Sequence, residues 1–169
     1  YNGWLIVSVS RVARPRGRRA EDWGSMTRRR LMPARDLNHD MVRSALQKDG
    51  WTITDDPYVI AYGDLTLFAD LGAERTLAAE RNGERIVVEI KSFPGPSPVR
   101  EFQSALGQYE LYRSLLELIE AERQLYLAVS DAVYEVFFLR EAIQVILRRN
   151  SIRLIIVDLA QEEIVQWIK

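Results

Sequence analysis

Residues 69–91, ADLGAERTLAAERNGERIVVEIK, are the stretch around which this chain is organised. Asn82-Gly83 separates two runs of alternating residues. This dipeptide predicts a type I′ hairpin turn, because that turn requires positive φ at both central positions. A two-residue turn places Arg81 opposite Glu84 and sets the register of both strands. The stretch therefore predicts an antiparallel hairpin over residues 75–93.

The predicted register divides the side chains of the second strand between two faces of the sheet. Glu89 and Lys91 point to one face, because successive strand residues alternate. Thr76 then opposes Glu89, and Glu74 opposes Lys91. The apolar residues of the second strand point to the other face: Ile86, Val88 and Ile90.

An acidic residue, a gap and then Glu-x-Lys on a strand is the pattern of a divalent-metal nuclease site. Asp70 and Glu89 supply the oxygen ligands that Mg²⁺ or Mn²⁺ prefers. Such a cation assists phosphodiester hydrolysis by polarising the phosphate and activating water. Lys91 is two residues from the second carboxylate, where its charge can stabilise the negative charge that develops. We predict a catalytic set of Asp70, Glu89 and Lys91, with Asp70 and Glu89 as metal ligands.

Two alternatives stand beside this prediction. Glu-x-Lys is common on any strand with a solvent-facing side, where it forms an ordinary exposed ion pair. The register also places Asp70 beyond the end of the partner strand, unless Gly72 bends the chain and returns it. Glu74 is then the substitute or helper for Asp70.

The flanking segments predict an α/β fold. A helix capped by Asp36 is expected over residues 37–48, followed by short strands at 51–54, 58–62 and 65–70. A long helix begins after Ser97, with Pro98 at its first position, and carries a stripe from Val99 to Ile119. The remaining predicted elements are, in order, a buried strand at 124–130, helix from Asp131 to 149 interrupted near Leu139, and strands at 152–159 and 164–168. A strand, a long helix and a strand in succession favour a parallel crossover in a mixed sheet.

Composition excludes several classes of site. The 169 residues contain no Cys and one His, His39, so disulfides and multi-His zinc sites are excluded. No apolar run approaches the length of a membrane span, and we expect a soluble cytoplasmic protein without membrane contact. Residues 1–31 hold eight Arg and two acids, whereas residues 32–169 hold fifteen Lys and Arg and twenty-two Asp and Glu. We expect residues 1–31 to be a disordered or non-native tail, and residues 32–169 to be the domain.

The chain from Met32 onward resembles the XisH family, the fdxN element excision controlling factors of cyanobacteria. The resemblance covers nearly all of residues 32–169 and leaves residues 1–31 outside. These blocks carry it: Asp36 with His39 and Asp40, KDGWTIT at 48–54, DLGAE at 70–74, AAE at 78–80, VEIKSF at 88–93, ALGQY at 105–109, LYLAV at 125–129 and EIVQWI at 163–168.

The resemblance implies a restriction-endonuclease-like fold of the PD-(D/E)xK class, with an α-β-β-β-α-β core of mixed β-sheet and flanking helices. It implies DNA as substrate, an XisI-like partner protein, and control of a site-specific recombinase that excises a DNA element. Asp70, Glu89 and Lys91 align with the three signature positions. Ala69 stands where the pattern has Pro, a residue that is often missing in this class. A non-catalytic regulatory protein of the same fold, binding an XisI-like partner, is the alternative function.

Several further residues have open roles at this stage. Gln108, on the long helix, either supports the site or is a boundary residue bonded to backbone. His39 is either a partly buried, hydrogen-bonded His or reaches the metal. Tyr109 and Tyr112 are expected to pack against the sheet. A small basic cluster could contact phosphate: Arg148, Arg149 and Arg153.

Overall fold

The structure, a computed structural model, describes residues 34–67 and 76–169. Four α-helices and eight β-strands lie within these ranges. The helices are α1 (Ala34–Lys48), α2 (Pro98–Ile119), α3 (Asp131–Val133) and α4 (Glu141–Arg149), with one π-helical turn at Tyr134–Phe138 between α3 and α4. The strands are β1 (Thr52–Asp55), β2 (Ile60–Tyr62), β3 (Leu65–Leu67), β4 (Thr76–Arg81), β5 (Glu84–Ile90), β6 (Arg123–Ser130), β7 (Leu154–Asp158) and β8 (Glu163–Ile168).

Six strands form one open mixed sheet in the order β1-β4-β5-β6-β7-β8, and β2 pairs with β3 separately. β5, β6 and β7 are parallel to one another, whereas the other neighbours in the sheet are antiparallel. The parallel pair β5–β6 is joined through α2, which confirms the predicted crossover. The α/β fold class is therefore confirmed.

The β4–β5 hairpin adopts the predicted register. Arg81 pairs with Glu84, and Thr76 pairs with Glu89. Asn82 has φ of 52° and Gly83 has φ of 83°, so both central residues adopt the positive φ that a type I′ turn requires.

The sheet has a separate apolar core on each face. α1 covers one face, where Val42, Ala45 and Leu46 are buried. α2 and α4 cover the other, because both parallel connections pass over the same side. The residues of β5 divide between the two cores as the alternation predicts. Ile86, Val88 and Ile90 belong to the α1 core, and Val87 belongs to the α2 core.

Two predicted helix caps are wrong. α1 begins at Ala34, so Asp36 is the third residue of the helix rather than its cap. α3 is capped by Ser130, whose hydroxyl accepts a hydrogen bond from the Val133 amide at 3.2 Å. Asp131 is therefore the first helical residue. Local sequence alone does not distinguish neighbouring Ser and Asp as caps, because both types accept such bonds.

The buried apolar stripe of α2 is shorter than its sequence predicts. Phe102, Ala105 and Tyr109 are buried, but Val99 at the start of the helix is 49% exposed. The predicted interruption near Leu139 is confirmed, since the π-helical turn ends at Phe138 and α4 begins at Glu141. Within residues 34–67 and 76–169, no helix is long and apolar enough to cross a membrane.

Candidate active site

Glu89 and Lys91 lie side by side near the carboxyl end of β5. The Lys91 ammonium nitrogen is 3.1 Å from Oε1 of Glu89. The Lys91 amide donates to the carbonyl of Ala128 at 3.0 Å, which extends the β5–β6 pairing one residue beyond β5. Both side chains therefore project from regular backbone, and the alternation of the strand places them on the α2 side.

Helix α2 supplies a third polar side chain to this pair. Lys91 Nζ donates to Oε1 of Gln108 at 2.5 Å. Gln108 is half-buried at the edge of the apolar stripe, next to the fully buried Tyr109. Of the two roles left open for Gln108, the contact with Lys91 agrees with a supporting one. The structure thus brings Glu89, Lys91 and Gln108 together from two consecutive elements, with Lys91 and Gln108 17 residues apart in sequence.

The alternative of an exposed surface ion pair is wrong. The side chain of Glu89 is 2% exposed and that of Lys91 is 7% exposed. Burial of two charges is costly unless they are paired and hydrogen-bonded, and such an arrangement is more typical of a functional centre than of a solvated face. The burial depends on tertiary packing over this face of the sheet, which a strand pattern by itself does not reveal.

Asp70 and Glu74 lie outside the described residues, so the choice between them stays a prediction. Among the residues that the structure does describe, no three His, Asp or Glu side chains form a metal-binding cluster. The donor chemistry at Glu89 nevertheless fits a hard cation. Glu89 provides carboxylate oxygen, and the chain has no thiolate to favour a softer metal.

His39 lies on the other side of the sheet, on α1. Its ring is buried, and Nε2 is 3.0 Å from Oδ1 of Asp56, which follows β1. Arg43 also contacts Asp56, at 3.3 Å. The three side chains join α1 to the β1–β2 connection. Glu89 and Lys91 extend instead toward α2, and the role of His39 at the metal stays a prediction.

A second polar network went unrecognised in the sequence. Tyr58 donates to Glu120 at 2.6 Å, and Arg123 donates to the other oxygen of Glu120 at 2.9 Å. Arg85 lies 3.0 Å from the same carboxylate. Burial, and then the hydrogen bond to Glu120, raise the pKa of Tyr58 to about 12. These residues come from four elements or connections, so no local sequence signal unites them.

The helix tyrosines pack as predicted. Tyr109 and Tyr112 are buried against the sheet. The Tyr109 hydroxyl donates to the carbonyl of Leu125 at 2.9 Å and accepts from the amide of Arg153 at 3.1 Å. Tyr109 therefore links α2, β6 and the start of β7.

Residues 32–165 of the chain match the family model described as XisH protein. This chain belongs to the XisH family. The match spans both α1 and the Glu89–Lys91 pair, and it leaves residues 1–31 outside. The family assignment made from the sequence is confirmed. The PD-(D/E)xK class and the state of residues 1–31 stay predictions.

Two crystal structures resemble this XisH family chain. One is an XisH family protein from Nostoc punctiforme, with 42% sequence identity and a TM-score of 0.73. The alignment covers 79% of this chain and 100% of that one. The other is an fdxN element excision controlling factor protein from Anabaena variabilis, also with 42% identity and a TM-score of 0.73, covering 79% of this chain and 99% of that one. No curated protein matches the chain.

Proposed function

We propose that this XisH family chain is an excision controlling factor whose Glu89–Lys91 pair belongs to a metal-dependent phosphodiesterase site acting on DNA. The role in excision comes from the Anabaena variabilis relative, which is described as an fdxN element excision controlling factor. The buried contact of Glu89 with Lys91, at 3.1 Å, is the observation that carries the catalytic part. The mixed sheet with α2 across β5 and β6 is compatible with a restriction-endonuclease-like fold.

Glu89 and Asp70 would hold Mg²⁺ or Mn²⁺ at the end of β5. When bound, the cation supplies charge neutralisation at the phosphate and activation of water. The Lys91 ammonium, positioned by the Gln108 amide oxygen, donates to a phosphate oxygen and stabilises the negative charge that develops there. Gln108 holds the ammonium between α2 and β5, so that the charge is already oriented when DNA binds.

The test is hydrolysis of single-stranded, duplex and branched DNA by the purified chain with Mg²⁺ or Mn²⁺. Lys91→Ala is compared with Lys48→Ala, because Lys48 is an exposed lysine paired with Glu162 at 3.5 Å. We expect the loss of one charge-stabilising group to reduce cleavage by roughly 100-fold or more in Lys91→Ala. Lys48→Ala retains activity. Equal cleavage by the two variants, together with no binding of Mn²⁺ to the wild type, would refute the catalytic proposal.

The second candidate is a non-catalytic regulatory protein that binds an XisI-like partner and, through it, a site-specific recombinase. Two exposed apolar side chains in or beside the π-helical turn favour it. Val136 is 71% exposed and Leu139 is 55% exposed, and the two are three residues apart in sequence. Adjacent exposed apolar residues are common in protein interfaces.

Size-exclusion chromatography with the XisI-like protein separates the two candidates. Val136→Ser with Leu139→Ser should weaken the complex and leave any cleavage unchanged. Lys91→Ala should reduce cleavage and leave the complex unchanged. Absence of any complex with the wild-type chain counts against the regulatory candidate.

A further inference from the structure

A cleft lies between the end of α4 and the end of β8, outside the Glu89–Lys91 site. Its volume is about 390 Å³. Leu147 and Ile152 form its buried apolar floor. Its charged lining consists of cations: Arg148, Arg153 and Lys169. Among the described residues, no Asp or Glu side chain lines it, although acids outnumber bases in residues 32–169.

The two arginines of this cleft have no acidic partner in the described part of the chain, since no ion pair there involves Arg148 or Arg153. Arg149 and Arg140 likewise form no ion pair with the described acids, whereas two arginines of α2 and β6 are paired. Arg113 contacts Glu110 at 2.5 Å, and Arg123 contacts Glu120 at 2.9 Å.

The position of Arg148 and Arg153 is not explained by stabilisation of the C-terminus of α4. The carbonyl of Ile146 accepts from the Asn150 side chain at 2.8 Å, and that of Arg148 accepts from the Ser151 amide at 3.2 Å. Arg113 donates to the carbonyl of Asn150 at 2.6 Å. These carbonyls already have donors. The helix dipole also favours cations at this end, but Arg153 lies beyond the helix.

We propose that this cleft binds the phosphate backbone of DNA through Arg148 and Arg153. Backbone recognition relies on exposed cations that contact phosphate oxygens. Arg148 is exposed and Arg153 is half-buried. A pocket for a small phosphate ligand would instead surround it with converging buried donors. An acidic body repels DNA elsewhere, so a local cationic cleft sets where the backbone lies.

The position of the cleft fits a duplex that also reaches the proposed hydrolytic site. Glu89 pairs with Leu127 on β6, and Leu127 pairs with Leu154 on β7. The backbone at the start of β7, next to Arg153, is thus two strand spacings from Glu89, about 10 Å. One helical turn of duplex DNA is about 34 Å long. A single duplex is therefore long enough to reach both positions. The choice of DNA as ligand rests on the proposed function. The cationic lining of the cleft is observed independently of that proposal.

The test is fluorescence anisotropy with a short labelled duplex, in EDTA and over a range of salt concentrations. We expect Arg148→Gln and Arg153→Gln each to weaken binding roughly fivefold and to reduce the slope of log K against log salt by about one. Arg149→Gln is the matched control, because Arg149 is the next residue of α4, is also exposed and does not line the cleft. It should change affinity much less. Circular dichroism confirms that each variant is folded.

Three results overturn the proposal. The wild type fails to bind the duplex, or Arg149→Gln weakens binding as much as Arg148→Gln, or inorganic phosphate at a concentration too low to act as screening salt displaces the duplex. The experiment is independent of hydrolysis, because EDTA removes the divalent cation that the proposed cleavage requires. If the chain cleaves no DNA but its binding to the duplex depends on Arg148, the result supports the proposed cleft. It then refutes only the proposed hydrolytic activity.

Discussion

The ammonium nitrogen of Lys91 lies 3.1 Å from Oε1 of Glu89, and both side chains are buried. Two residues apart on one strand, they share a face for a purely geometric reason. Their burial has a different origin, because it requires other segments of the chain to pack over this face of the sheet. This buried pair is the feature on which the proposed hydrolytic activity depends.

The Glu89–Lys91 pair should be strongly coupled. Lys91→Met is expected to lower the free energy of unfolding by roughly 3 kcal/mol, because it removes the ammonium facing a buried carboxylate. The double variant Glu89→Leu, Lys91→Met should recover much of that loss. Chemical denaturation of the wild type, both single variants and the double variant gives the coupling energy. Lys48→Met is the control, because Lys48 belongs to an exposed pair, and it is expected to change the free energy of unfolding by less than about 1 kcal/mol. Additive effects of the substitutions at 89 and 91 would contradict the prediction.

Gln108 should position Lys91 during catalysis. Gln108→Leu leaves the ammonium without its α2 acceptor, and we expect a loss of roughly tenfold in the cleavage rate, with a smaller effect on DNA affinity. Gln103→Leu on the same helix is the matched control, since Gln103 is exposed. Rescue of the rate by Gln108→Glu would support a positioning role. Equal rates for the two leucine variants would exclude it.

Asp70 and Glu74 compete for the same role as the second carboxylate. We expect Asp70→Asn to weaken Mn²⁺ binding by roughly tenfold or more, because carboxylate charge dominates affinity for a hard cation. Glu74→Gln should have a smaller effect. Isothermal titration calorimetry with Mn²⁺ measures both. The reverse order would assign the ligand to Glu74, as the hairpin register predicts.

His39 should act on stability rather than on the metal. His39→Gln removes the ring nitrogen that lies 3.0 Å from Asp56, and we expect it to lower the free energy of unfolding by about 1–2 kcal/mol. Mn²⁺ affinity should not change. Thermal denaturation and calorimetry on the same samples check both statements. A loss of Mn²⁺ affinity in a folded His39→Gln variant would instead make His39 an accessory to the metal site.

Tyr58 should make the protein sensitive to alkali. Its pKa is raised to about 12 from an ordinary value near 10, so the folded chain holds the phenolic proton more tightly than the unfolded chain. This contribution is complete below pH 10 and is lost as the pH rises toward 12, with a magnitude of roughly 2 kcal/mol. Urea denaturation across that window should show a steeper fall for the wild type than for Tyr58→Phe. Parallel pH profiles for the two proteins would contradict the prediction.

The sequence by itself determined the hairpin and the elements around it. Asn82-Gly83 sets the register because only residues that tolerate positive φ fit a type I′ turn, and Glu89 and Lys91 follow on one face by alternation. The crossover through α2 and the family also followed from local patterns and ordered blocks of residues. Helix ends were less well predicted, as Asp131 shows, because the neighbouring Ser130 offers an equivalent cap.

Only the tertiary structure decided which polar residues are buried and which partners they have. Gln108 meets Lys91, Asp56 meets His39, and Glu120 joins Tyr58 to Arg123 across separate elements. The cleft of Arg148 and Arg153, which form no ion pair with the described acids, likewise exists only because the end of β8 lies beside the end of α4. These contacts arise when distant segments pack together, and a one-dimensional pattern contains the spacing within each segment but not the distances between segments.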